Sequence, residues 1–462
     1  MKTIKIIKNS SLVLLTAGSI TAGTVMAKVS PEEAAQLGKT LTPTGAIKAG
    51  NKEGTIPAWN PAFKVPSSYK KNSNVFPDPY PEDKPLFTIT PDNLNQYRDK
   101  LSPGQIKMFE AYPDTFRMPV YTSRRNGSYS DFIEKNTRLN ATRSVLDKSG
   151  DGVINAYGGA PFPIPKRGEE VIWNLNQAGV PYYLSEERDS MLVYNDGSQL
   201  FGKQVVTTLS PYFDEDSSID EFYNKRYSKV LYLSERRAPA REKGEGVLVH
   251  EPINYVSGKR AAWTYTPGVR KVRRAPNIKF DVLTELGDFM PSDSTGVFTG
   301  STEKYNWKLA GRKELYIPYN AYRFEDPDVE FEDLLHTGHV NPDYMRYELH
   351  RVWVVEATLK DDQRHVYGKR VLYVDEDSWT PSVSDFYNSS GELLRMSLLN
   401  SIYRYDLPGI MTRSTLFHDF ERGAYLAHEM TNRTSANNPP INTNVKKMSY
   451  FKPRTLRKLG IR

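Results

Sequence analysis

The chain of 462 residues has no cysteine. That absence excludes disulfides, a thiolate nucleophile, Cys-ligated zinc, an iron–sulfur cluster and a lipid anchor on an N-terminal cysteine. Histidine is scarce, with 7 copies. The pair His336 and His339 has no third ligand nearby in sequence, so a solvated loop is the simpler reading than a metal site. His428-Glu429 lacks the second histidine that a zinc-protease helix needs. There is no G-x-S-x-G elbow and no G-x-G-x-x-G loop. Gly197 to Lys203 (GSQLFGK) follows a phosphate loop until Gln204 stands where the metal-binding Ser or Thr belongs, and it reads as a hairpin. Asp147 to Gly158 (DKSGDGVINAYG) starts like a calcium loop but ends in Gly158 instead of a bidentate Glu, so it reads as a Gly-rich turn. Carboxylates cluster at 325–333 and 375–377, but a catalytic pair is defined by its separation in space. No reaction class, cofactor or metal is supported by these motifs.

Long apolar runs are also missing after the N-terminus. Lys2, Lys5 and Lys8 precede the short apolar core Ser11–Ile20, and Val25-Met26-Ala27 offers small residues for cleavage. This is a secretory signal over residues 1–27, too short to span a bilayer. The expected mature chain begins at Lys28, lies in the periplasm and has no transmembrane segment. The net charge of +7 includes those three lysines, leaving +4 on the mature chain. So mild an excess argues against nucleic acid as a partner.

Aromatic residues are plentiful, with 29 Tyr, 19 Phe and 6 Trp, which suits β-structure. Ser30-Pro31 opens a short helix, and residues 168–177 turn helical again. Between them, prolines crowd residues 43–91, which suits an extended arm over residues 28–95, with Trp59, Phe63, Tyr69 and Phe76 as anchors. Residues 96–462 form the expected body. From residue 190 to 430 eleven alternating or β-branched runs recur between turns, the pattern of a meandering antiparallel sheet. No strand–helix alternation suggests a parallel fold. Period-2 alternation puts Trp263 with Tyr265, Trp353 with Val355, and Leu394 with Met396 and Leu398. These seven are the candidate ligand-binding residues of a common apolar interior, with a filled core as the alternative. Pro267-Gly268 marks a hairpin tip beside Arg270, Lys271, Arg273 and Arg274. That basic block is either a docking surface for anions or is paired with acids of the 325–333 cluster.

The block from Trp263 to Pro276 (WTYTPGVRKVRRAP), the segment Tyr305–Leu315 (YNWKLAGRKEL), Pro318-Tyr319-Asn320 and the upstream GGAPFPIP resemble a family of exported Gram-negative proteins of unknown function. That family is similar in fold to the LolA/LolB lipoprotein carriers. The resemblance implies a mainly β (α+β) fold: a large, strongly curved antiparallel sheet forming an incomplete barrel, closed by a few helices, with a Pro-rich N-terminal extension and a hydrophobic cavity. It also implies a periplasmic carrier or transport accessory for a lipid or other hydrophobic molecule. The implied partners are an inner-membrane exporter of the resistance-nodulation-division type and an outer-membrane barrel protein. Without the anchoring cysteine of LolB the chain would resemble diffusible LolA, although it is far longer than either. The resemblance brings no catalytic residue and no cofactor, so an enzyme is not expected. The rival readings are a carboxylate-dependent glycoside or ester hydrolase and a ligand-free envelope scaffold.

Overall fold

The computed structural model describes residues 29–175, 180–275, 282–283 and 286–460. The signal segment and its cleavage site at Ala27 lie outside the described residues. Helix α1 (Pro31–Ala34) is closed by a capping box: Ser30 Oγ accepts from Glu33 N at 3.2 Å, and the Glu33 carboxylate accepts from Ser30 N at 3.0 Å. The proline-rich stretch then runs over the body without regular structure. Phe63 packs on Tyr403, Tyr69 and Phe76 pack on Tyr405, and the Trp59 indole donates to Gly127 O. Its last part becomes strand β1 (Phe87–Ile89), so residues 28–95 supply one strand of the main sheet.

After it come α2 (Pro103–Ala111), β2 (Met118–Tyr121), α3 (Asp131–Arg143), a small hairpin of β3 (Val145–Leu146) and β4 (Val153–Ile154), and α4 (Gly168–Asn174). A first meander follows: β5 (Tyr183–Val193), β6 (Gln199–Leu209), α5 (Ile219–Asn224), β7 (Val230–Ala238), β8 (Gly246–Glu251), β9 (Ala261–Thr266) and β10 (Lys271–Arg274). The second comprises β11 (Tyr305–Pro318), α6 (Phe331–Leu334), β12 (Tyr347–Leu359), β13 (Lys369–Asp375), β14 (Pro381–Tyr387), β15 (Leu393–Arg404), β16 (Gly409–Asp419) and β17 (Ala424–Met430), and α7 (Pro453–Leu459) ends the chain.

Fifteen strands form one sheet in the order β1-β2-β12-β13-β14-β15-β16-β17-β5-β6-β7-β8-β9-β10, with β11 also on β12. Its ends do not meet, so the sheet is an open half-barrel, as the resemblance implied. Neighbouring strands are antiparallel except β2 with β12, which pair where β13 leaves the start of β12 uncovered. The two meanders join where β17 pairs with β5, Tyr425 opposite Val193 and Leu426 opposite Leu192.

Over the central strands of the sheet both faces are buried. On one, Val352, Val371, Val383, Met396 and Leu398 pack with Met108 and Phe109 of α2. Gly104 of α2 comes so close that a Cβ would lie 2.7 Å from Met396 Cγ and 2.2 Å from Asp385 Oδ1. The same side of β5 continues to Tyr183, which joins Leu231, Leu248, Tyr265 and the α7 residue Leu456. On the opposite face Trp353, Val355, Leu372, Val374 and Leu399 pack with Val171, Ile172 and Trp173 of α4. Among the described residues, no helix is long and apolar enough to cross a membrane.

Candidate functional site

Between α4 and the sheet face that it covers lies a cavity of about 520 Å³. Register fixes its floor. Leu184, Thr208, Tyr232 and Val249 form one cross-strand row, and Glu186, Val206, Ser234 and Val247 form the next. Arg188, Gln204 and Arg236 make a third row. From Val230 to Arg236 the floor spans seven residues, about 20 Å of strand. Ile172, Phe213 and Phe298 add apolar wall over the middle. The ends are charged. Trp173, Lys229, Glu251 and Arg260 stand at one; Arg188, Glu186 and Glu429 stand at the other.

A bulge builds the second end. Pairing of β17 with β5 slips between Ala427 and Met430, and Glu429 takes a left-handed φ of 60°. A bulge re-aims side chains, and here Glu429 reaches Arg188, which also donates to Glu186 at 2.7 Å. Burial would weaken the Arg188 guanidinium, but Glu429 and Glu186 keep it charged. In return Arg188 holds the Glu429 carboxyl below its usual range despite burial.

The seven residues that alternation brings together do not share one interior. Trp353 and Val355 are on the cavity side, buried beside α4; Trp353 lies parallel to Trp379 at 6.2 Å, with Arg312 3.7 Å over its ring. They adjoin the cavity but are not part of its wall. Met396 and Leu398 point to the opposite face, under α2, and Leu394 is half-buried at the start of that strand. Trp263 and Tyr265 lie under α7, where a Cβ on Gly460 would fall 1.9 Å from Tyr265 Cε1. Alternation is right within each strand. It cannot say which face is which between strands, because both faces are apolar and register slips at Tyr373/Val374, Phe386/Tyr387 and Asn400/Ser401 reset the phase. Of the true wall residues, Val206 and Val249 sit in runs that the alternation found, whereas Leu184 precedes residue 190, where the recurring runs begin.

The basic block does sit at a hairpin. Val269 N and Arg270 N both bond Thr266 O, and Lys271–Arg274 form the sheet's edge strand. Arg270, Lys271, Arg273 and Arg274 are exposed and make no ion pair among the described residues. The expected acids are engaged elsewhere: Glu325 by Arg413 and Glu330 by Arg433. Helix α7 packs beside β10 and adds exposed Arg454, Arg457 and Lys458, while Val269 is 46% exposed at the tip.

The DUF1329 family, described as proteins of unknown function, matches residues 88–457. The uncharacterized protein PA3922 of Pseudomonas aeruginosa is 39% identical over 438 residues, 94% of each chain. The chain belongs to the DUF1329 family. Among solved structures it is loosely similar to a DUF1329 family protein from Desulfovibrio piger, with 13% identity, 60% of this chain and 92% of that one covered, and a TM-score of 0.40. The LolA superfamily protein NE2245 from Nitrosomonas europaea gives 14% identity, coverage of 62% and 98%, and a TM-score of 0.35.

Elsewhere in this DUF1329 protein, the carboxylates of the β13–β14 turn form a buried ion network. Arg125 grips Asp377 with two bonds, at 2.7 and 2.8 Å, and donates to Ile47 O and Pro57 O of the arm. Arg351 and Arg312 hold Glu376. His350 lies between Glu348, 3.3 Å from Nε2, and Asp375, 3.6 Å from Nδ1. The donor atoms of His350, Asp375 and Asp377 come within 4.8 Å, a spacing that suits a divalent cation. Arg125, Arg312 and Arg351 lie against Asp377 and Glu376, while His350 Nδ1 and Asp375 Oδ1 have no hydrogen-bond partner among the described residues. The other metal candidates disperse. Both nitrogens of His339 are engaged, by Thr115 Oγ1 and Val340 O, while His336 is exposed. In the Asp147–Gly158 segment, Asp151 turns to accept from Thr302 N and Ser301 Oγ, across the β3–β4 turn.

Burial alone would depress the His350 imidazole, but the carboxylates of Asp377, Glu348 and Asp375 outweigh it and raise it to about 9. Burial also raises Asp375 to about 6, although His350 opposes the shift. Burial would raise Asp377 too, but Arg125 and His350 hold it well below the usual carboxylate range. A histidine raised above its ordinary 6.5 gives stability that is complete below that value and disappears as pH rises through about 9. Chemical denaturation should therefore show a loss on the order of 3 kcal/mol between about pH 6.5 and 9.5. His350→Gln should be less stable at pH 6.5 and should flatten this dependence. An unchanged slope would show that His350 is not charged in the folded protein.

Proposed function

We propose that this protein is a carrier-type binding protein of the periplasm that holds a single-chain amphiphile in the cavity between α4 and the sheet. The cavity itself carries this reading. Its volume of about 520 Å³ lies in the usual range of small-molecule sites, about 300–1,000 Å³. Leu184, Val206, Val230, Val247 and Val249 give it an apolar middle. Burying ten methylenes there is worth roughly 8 kcal/mol gross, the scale of a micromolar Kd before ordering costs. Charged groups at both ends favour an amphiphile over a bare hydrocarbon. The wall carboxylates Glu186, Glu429 and Glu251 are bound to arginines, and Glu429 is shifted below its usual range. A glycosidase acid needs the opposite shift, which favours binding over hydrolysis, and open volume favours it over a filled scaffold. The periplasmic address rests on the secretory pattern of residues 1–27, and the exporter partnership on the family resemblance.

Native mass spectrometry of protein purified gently from an envelope extract should show a bound lipid-sized adduct. Val206→Phe, which fills the middle of the cavity, should remove the adduct and weaken fatty-acid binding at least tenfold while the fold persists. Empty wild-type protein that also fails to bind added fatty acid overturns the carrier.

The unpaired basic edge formed by β10 and α7 would dock this carrier on an anionic membrane surface, with Val269 entering the interface. Charge of this kind mainly speeds encounter. Arg270→Glu with Lys271→Glu should leave the melting temperature within a degree or two but slow association with phosphatidylglycerol vesicles, most strongly at low salt. Equal association rates at low ionic strength would remove the docking role.

A further inference from the structure

Among the described lysines and arginines of the cavity wall, one stands without a carboxylate partner. Arg188 is held by Glu186 and Glu429, Arg260 by Glu251, Arg236 by Glu242 and Arg413 by Glu325. Lys229 is the residue before β7 and lines the cavity. Among the described residues no carboxylate or carbonyl bonds its ammonium; its close neighbour is the Trp173 ring, 5.4 Å from Nζ to the centroid. Glu251, whose charge acts on Lys229, is already bonded by Tyr255 Oη and Arg260 Nε. Burial accordingly pulls Lys229 below the ordinary lysine pKa, with Glu251 offsetting only part of the effect.

A lysine ammonium has three donors, and an aromatic face satisfies its charge only in part. Lys229 is half-buried, and desolvating part of such a group without an anion is costly. The cost is relieved if the ligand brings the anion. The opposite end has two carboxylates, Glu186 and Glu429, around Arg188, a poor place for a second anion. The two ends thus give the cavity a direction.

We propose that Lys229, backed by Trp173, receives the anionic head of the amphiphile, a carboxylate or phosphate, and that the chain runs past Leu184, Val206 and Val249 towards Arg188. This rests on the carrier reading. The site would select acids over neutral lipids of equal chain length, because only an acid supplies Lys229 with its missing partner.

The test compares palmitate, palmitoyl lysophosphatidate and methyl palmitate, each displacing a neutral fluorescent hydrophobe from the full mature chain. Wild-type protein should prefer at least one acid over the ester by roughly tenfold or more, the usual scale of a charge-assisted hydrogen bond. The tighter acid identifies the head. Lys229→Met should bind the ester as wild type does but lose the preference, and Lys229→Arg should restore most of it. Acetate and inorganic phosphate, which have the head without the chain, should not displace the probe. Displacement by either would overturn the amphiphile in favour of a small-anion site. Equal affinity of acids and ester in wild type, or a preference that survives in Lys229→Met, overturns the anchor alone and leaves the carrier standing. Failure of all three lipids to bind overturns both.

Discussion

The single sheet and its cavity hang on the pairing of β17 with β5. Each meander alone is a sheet with a long open edge, and exposed edges invite aberrant pairing. Joining the last strand of one to the first strand of the other makes a single sheet of fifteen strands and leaves β10 at one extreme edge. The cavity straddles this seam. Its wall takes Glu186 and Arg188 from β5 and His428 and Glu429 from β17. The bulge that interrupts the seam turns Glu429 onto Arg188. Ser190 adds a second tie, with its Oγ 3.1 Å from His428 Nδ1 and accepting from Glu429 N at 3.3 Å. The same few residues therefore close the sheet and shape the charged end of the cavity.

Many polar groups are buried in this fold, and several of them have a structural task. Arg125 ties the proline-rich arm to the β13–β14 turn through Asp377. Arg370, fully buried, pairs with Asp293, which also lies 3.2 Å from His365. Pairs of this kind do little for net stability against an apolar replacement, but breaking one leaves a stranded charge. Their work is to fix where loops lie on the sheet. That separation of duties matters for the cavity. Where the arginines are matched, the wall is set by folding; where Lys229 is unmatched, folding leaves a demand for a ligand.

Much of the fold was legible in the sequence. The eleven runs all became strands, and Pro267-Gly268 marked a true hairpin tip. β14 was not among the eleven runs, because Pro381, Ser382, Ser384 and Asp385 break the apolar alternation; the strand exists because its neighbours bury it completely over most of its length. The cavity was less legible still. Trp and Leu drew attention to apolar stripes, yet those stripes form the packed cores under α2 and α7 and beside α4. The open wall is mixed, and its key contacts are remote in sequence: Arg188 and Glu429 are separated by 241 positions. Lys229 looks like any lysine at a strand start. Only the helix that carries Trp173, folded over it from more than fifty residues upstream, makes it distinctive.

The central claim is that the space between α4 and the sheet is a ligand chamber and not a packing defect. The most direct measurement is a crystal structure of the protein with a fatty acid brominated near its methyl end. The anomalous bromine peak should lie on the α4 side of the sheet, beyond Val206 towards Arg188, with the carboxylate near Lys229. A peak under α2 or α7, or a chamber that stays empty at saturating ligand, would contradict it.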